Sequence, residues 1–202
     1  MTFQDTLDKL STATSGAVMR LWELVEAGAM TQTEFTDAAA VLVEISRRRG
    51  AAAGWAALRA YLEAADAAPV AAVALDVTDD VSRLKTAVGT ILVSQQDTAM
   101  QLARLAANEP LQAATSALSD AMRRSKRVRG WTRKLEPGAC QLCQWWARED
   151  RIWQPHHKMA RHPGCTCHQK PVLHDGTGDN VQTTKQAKKA KYTNDRREGT
   201  NP

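Results

Sequence analysis

The four cysteines and five histidines of this chain all fall between Cys140 and His174. The window opens on C-x2-C (Cys140, Cys143), passes through His156-His157, and closes on H-P-G-C-T-C, from His162 to Cys167. Thiolates and imidazoles at such short spacing supply what a tetrahedral metal ion needs. Two thiolates separated by two residues can turn toward one ion. His162-Pro-Gly-Cys165 repeats that spacing across a Pro-Gly turn. The simplest ligand set is Cys140, Cys143, His162 and Cys165. Cys167 is an alternate ligand, because residues two apart on an extended strand point to the same side. His157 is a weaker alternate, and His156, His168 and His174 are weaker again. Mixed sulfur and nitrogen donors favour Zn2+, and four protein ligands would make a closed, structural site.

Other chemistries compete for the same residues. Four reduced cysteines can simply pack in a small core. A redox-active C-x2-C calls for a surrounding βαβ pattern, which is not seen here. His156-His157 beside cysteine pairs invites comparison with HNH-type nucleases. That chemistry needs a general-base histidine, further metal ligands and a positioning asparagine, and the next asparagine is Asn180. The second cysteine pair is C-x-C, not C-x2-C. A four-ligand zinc site leaves no open position for hydrolysis. Neither a Gly-rich phosphate loop nor a G-x-S-x-G elbow is present. The expectation is a non-enzymatic protein.

The elements that must carry this window read as helical. Residues 1–122 form an acidic, alanine-rich region with 9 Lys/Arg against 15 Asp/Glu. A first helix covers residues 3–27, with a break near Gly16. Thr31 and Glu34 then make a capping-box pattern. Behind them Phe35, Ala38, Ala39, Leu42 and Ile45 repeat at helical spacing, in a helix running to about Ala65. Gly50 and Gly54 weaken its middle. Pro69 interrupts the pattern. Asp79 or Asp80 caps a long helix that continues through Leu102 and Leu105. Pro110 suits the first turn of another, with Asn108 as its cap. Few bulky residues are available, so the helices form either a bundle or an extended arm stabilised by partner proteins.

Residues 123–202 reverse the charge, with 18 Lys/Arg against 7 Asp/Glu. Residues 123–135 read as a basic helical hinge, residues 136–174 as a Cys/His zinc module, and residues 175–202 as a disordered basic tail. A short β-turn or hairpin near residues 148–154 separates the two halves of the module. Trp131, Trp145, Trp146 and Trp153 fall around it, and core packing explains them better than base stacking, because a tiny metal-stapled domain still needs bulky apolar area. The fold class is therefore mainly α, with a small zinc-binding module. Arg123, Arg124, Lys126, Arg127, Arg129, Lys188, Lys189 and Lys191 are candidates for nucleic-acid contact. The N-terminus shows no secretory pattern and no apolar run suits a membrane span. That places folding in a reducing cytoplasm, where cysteines favour a metal over disulfides.

The segment G-W-T-R-K-L-E-P-G-A-C-Q-L-C-Q-W-W (residues 130–146), followed by R-I-W-Q-P, H-H-K-M and H-P-G-C-T-C, resembles the C-terminal module of the phage Mu F-like minor head proteins, actinobacteriophage type. The likeness covers residues 130–172. The T-Q-T-E-F-T-D segment from Thr31 is also similar, with far less specific motifs. The resemblance implies a minor capsid protein associated with the portal protein during head assembly, with a role in DNA packaging or ejection. It also implies a structural Cys/His module at Cys140, Cys143, His162, Cys165 and Cys167. Major capsid or scaffold protein and packaged DNA would be further partners. The location would be the capsid interior near the portal vertex, after assembly in the host cytoplasm. Many members are longer or fused to a second domain. A sequence-specific DNA-binding zinc protein is the alternative, and an HNH-like nuclease the next.

Overall fold

A computed structural model describes residues 2–65, 79–94, 96–148 and 150–174. Four helices come first: α1 (Phe3–Glu26), α2 (Gln32–Ala64), α3 (Val81–Val93) and α4 (Thr98–Arg124). Strand β1 (Val128–Lys134), the short α5 (Gln141–Ala147) and strand β2 (His168–Leu173) follow. Both long N-terminal helices begin with a complete capping box. Thr31 Oγ1 accepts from the Glu34 N–H at 3.2 Å, and the Glu34 carboxylate accepts from the Thr31 N–H at 2.9 Å. Thr2 and Asp5 repeat the arrangement at α1.

The helices pack on one another as a bundle, not as an arm. Val18, Phe35, Val43, Leu84, Val88 and Leu102 bring all four into one buried cluster. The glycines of α2 explain how alanine-rich helices build a core. A Cβ on Gly50 would stand 2.2 Å from the Pro110 carbonyl oxygen, and one on Gly54 would stand 2.2 Å from that of Ala114. The two glycines lie one helical turn apart and let the α4 backbone rest directly on α2. What reads in sequence as a weak mid-helix is a backbone-to-backbone contact between α2 and α4.

An ionic network fixes α3 to this pair. Arg83 makes a bidentate contact with Glu109 at 2.7 and 3.0 Å and also reaches Asp80 at 2.8 Å. Arg47 bridges Glu44, Asp80 and Glu109 at 2.8 to 3.0 Å. Glu44 and Glu109 are buried, so each needs these partners.

Several sequence expectations are corrected. α1 passes Gly16 without a break. The helix expected through Leu105 stops at Ser94, whose hydroxyl donates to the Ile91 carbonyl at 2.8 Å. Asp97 then opens α4 by accepting from the Met100 N–H at 2.9 Å. Pro110 lies inside α4, not in a first turn, and Asn108 is helical instead of capping. The basic helical hinge divides. α4 ends at Arg124, and Val128 to Lys134 is strand, because it finds a partner in β2. The interruption at Pro69 and the tail from residue 175 lie outside the described residues.

β1 and β2 are antiparallel, from Val128↔Leu173 to Lys134↔His168, with an irregularity between Val128 and Gly130. Trp131 and Trp153 exchange two backbone hydrogen bonds of 2.8 Å on the other edge of β1. The expected turn near residues 148–154 thus delivers Trp153 to the ribbon. A second buried cluster joins the bundle's end to this segment. Leu58, Leu62, Leu118 and Met122 pack with Trp131, Met159 and the buried cysteines. Among the described residues, no helix is long and apolar enough to cross a membrane.

Candidate metal centre

Each half of the site has its own local architecture. Cys140 stands in extended conformation immediately before α5, and Cys143 lies in that helix's first turn. One helical turn brings both sulfurs to the same side. His162 and Cys165 flank a turn closed by Gly164, whose φ of +76° suits a residue without a Cβ. The Cys165 N–H donates to the His162 carbonyl across that turn at 3.3 Å. Cys167 follows, just before β2 begins.

The other four residues singled out by spacing, Cys140, His162, Cys165 and Cys167, converge on Cys143. Its Sγ is 3.2 Å from His162 Nε2 and 3.4 Å from Cys165 Sγ. Cys140 Sγ is 3.3 Å from the same His162 nitrogen. Tetrahedral zinc, with Zn–S of about 2.3 Å and Zn–N of about 2.0 Å, sets ligand atoms about 3.5–3.8 Å apart. The observed spacings are close to that range. Two groups have ligand atoms all within 4.8 Å of one another: Cys140, Cys143 and His162, and Glu136, Cys143, Cys165 and Cys167. Cys143 belongs to both. The set of Cys140, Cys143, His162 and Cys165 therefore spans two overlapping groups instead of forming one.

Glu136 is the member that spacing did not reveal. Its N–H donates to Cys167 Sγ at 3.3 Å. Its carboxylate accepts from the Thr166 N–H at 2.9 Å and from the Thr166 hydroxyl. A carboxylate so engaged orients the loop that carries Cys165 and Cys167. The only sequence signal for it is a lone acid between the basic stretch and the first cysteine.

Burial and charge decide what the cluster can do. Cys143, Cys165 and Cys167 are wholly buried, while Cys140 is exposed. Burial pushes the Cys143 thiol up to about 11. The Cys167 thiol is raised as well, by its contact with Cys165 and by burial. Thiolates there need a positive partner, and a divalent cation is the strongest one available. Arg133 and Arg161 also border the cluster. The Cys/His groups could hold a metal ion.

The remaining candidates lie elsewhere. The His157 ring stacks on Trp153 at 4.1 Å between ring centres, and burial lowers its pKa. His168 is buried edge-on against Phe3, and His156 is exposed. Trp131 is buried and Trp146 and Trp153 pack against the same core, but Trp145 is 64% exposed and does not. Arg123, Arg124, Lys126 and Arg127 are exposed at the junction of α4 and β1, with Arg129 half-buried. Lys188, Lys189 and Lys191 lie outside the described residues.

No protein-family model, curated protein or solved structure matches the chain.

Proposed function

We propose that this chain is a non-enzymatic minor capsid protein of a tailed phage, similar to the Mu F-like head proteins, with a structural Zn2+ in its Cys/His segment. One observation carries the metal half of this reading: Cys140, His162, Cys165 and Cys167, remote from Cys143 in sequence or across a helical turn, all gather around it. The head-protein half is supported by the resemblance of the motifs from residue 130 to 172.

In this reading the zinc site is a staple. It ties α5 to the loop before β2, and the shared core ties both to the end of α2 and α4. The acidic bundle docks on portal protein, or on major capsid or scaffold protein, inside the head. Assembly takes place in the host cytoplasm. Mass spectrometry of purified DNA-filled particles tests it: the chain should be present and should remain with the portal when particles are dissociated. Its absence from such particles would defeat the proposal.

The exposed Arg123, Arg124, Lys126 and Arg127 support a finer proposal, non-specific contact with packaged DNA during packaging or ejection. Phosphate contacts release counterions, so affinity for duplex DNA should fall steeply with salt and not depend on sequence. A marked sequence preference would favour the alternative of a DNA-binding zinc protein.

A further inference from the structure

Two guanidinium groups border the cysteine cluster with no carboxylate paired to them. Arg133, on β1, is 4% exposed. Its Nη1 lies 3.9 Å from Cys143 Sγ, its Nη2 donates to the Ala160 carbonyl, and its guanidinium carbon stands 5.2 Å from the centre of the Trp146 ring. Arg161 donates to Thr115 Oγ1 at 2.8 Å and to the Cys165 carbonyl at 2.6 Å. The Nε of each is buried without a hydrogen-bond partner among the described residues. Neither makes an ion pair with an acid among the described residues. Glu136 is the acid of the cluster, and its carboxylate is committed to Thr166.

A guanidinium does not shed its proton in a protein, and a charge removed from water needs a counter-charge. Two guanidinium cations and one carboxylate leave a single positive charge. Four neutral thiols would leave it unanswered. Three thiolates and one neutral imidazole around a divalent ion, with the fourth cysteine remaining a neutral thiol, carry one net negative charge, which cancels it. A monovalent or trivalent ion in the same set would leave the balance one charge off.

We infer that Arg133 and Arg161 are positioning residues of the metal centre, fixed counter-charges that match it to a divalent cation held by three thiolates and one imidazole. Arg133 acts beside Cys143 from the ribbon. Arg161 acts beside Cys165 from the loop that carries His162. The inference rests on the metal reading of the cluster proposed above.

Co2+ titration of the full chain tests it, with affinity read by competition against a chromophoric chelator and folding followed by circular dichroism. Arg133→Gln and Arg161→Gln should each weaken Co2+ binding by about 10–100-fold, the range for residues that support metal ligands. Arg133→Lys and Arg161→Lys, which keep the charge, should recover most of that loss. Arg133→Gln combined with Glu136→Gln restores the balance and should bind more tightly than Arg133→Gln alone. Glutamine variants that bind as wild type does, lysine variants as weak as the glutamine ones, or a double variant weaker than the single one would overturn it. Where a glutamine variant does not fold, its lysine counterpart decides: unchanged affinity supports the inference, and a loss of about tenfold or more overturns it. A wild-type chain that takes up no Co2+ would sink the metal reading itself, an outcome distinct from those above.

Discussion

Gly54 and the Ala114 carbonyl oxygen are in such close apposition that a single added carbon would stand 2.2 Å from that oxygen. The contact is backbone against backbone, so no side-chain rotation relieves it. Replacing a mid-helix glycine by alanine ordinarily stabilises by about 1 kcal/mol. Here Gly54→Ala should instead destabilise by about 1–3 kcal/mol, as overpacked cores do. Chemical denaturation checks the sign. Gly16→Ala in α1 is the control, because the nearest atom to its Cβ is 3.5 Å away, at the end of the flexible Arg20 side chain.

Cys143 is the sulfur common to both ligand groups, whereas Cys140 belongs to one and is exposed. Elemental analysis of the purified chain should find close to one zinc per molecule. Cys143→Ser should abolish it, and Cys140→Ser should weaken retention less. A strong chelator should lower the melting temperature of wild type and leave Cys143→Ser unmoved, since a metal that binds only the folded state stabilises it.

Glu109 answers two guanidinium groups, Arg47 and Arg83, at the meeting of α2, α3 and α4. It is buried, so removing it leaves Arg47 and Arg83 facing each other with only Glu44 and Asp80 to answer them. Glu109→Ala should cost about 3 kcal/mol, the scale of a broken buried pair. Arg83→Ala should cost less, because its side chain is 47% exposed and water screens it. Equal losses in urea denaturation would contradict this account.

The two capping boxes tie stability to pH on the acid side. Backbone and side-chain hydrogen bonds from Thr2 and Thr31 hold Asp5 and Glu34 below their ordinary values of 3.8 and 4.5. As pH falls through those ordinary values, the unfolded chain binds protons first, so stability drops. The contribution is fully present above the ordinary values and gone once pH has passed the lower folded ones. Asp5→Asn with Glu34→Gln should flatten that part of the profile in denaturant midpoints followed from neutral to acid pH.

Local chemistry was legible in the sequence, and contacts between distant segments were not. Thr31 and Glu34 announce a helix start because the capping box is a short-range pattern. The cysteines and histidines announce themselves by type. The stop at Ser94 was hidden because Ile91 and Leu102 both keep helical spacing across it, and only Asp97's cap marks the new start. Pro110 reads as a first turn because proline favours one, yet α4 carries it in mid-helix where it meets Gly50. The basic stretch reads as helix until β2 is known to lie beside it. Arg133 and Arg161 carry no sequence signal of their own, and nothing in their neighbours reveals that the fold sets them beside the cysteine cluster.

The ribbon also has a bearing on the order of folding. Lys134 pairs with His168, and every residue of the Cys/His segment from Glu136 to Cys167 lies in the loop between them. Closing that loop costs chain entropy before any strand hydrogen bond repays it. A metal held between Cys143 and the His162–Cys165 turn would close most of the loop in advance and leave β2 only a short search for its register. The cysteine cluster would then set how fast and how faithfully the strands find each other, as well as how firmly they stay together.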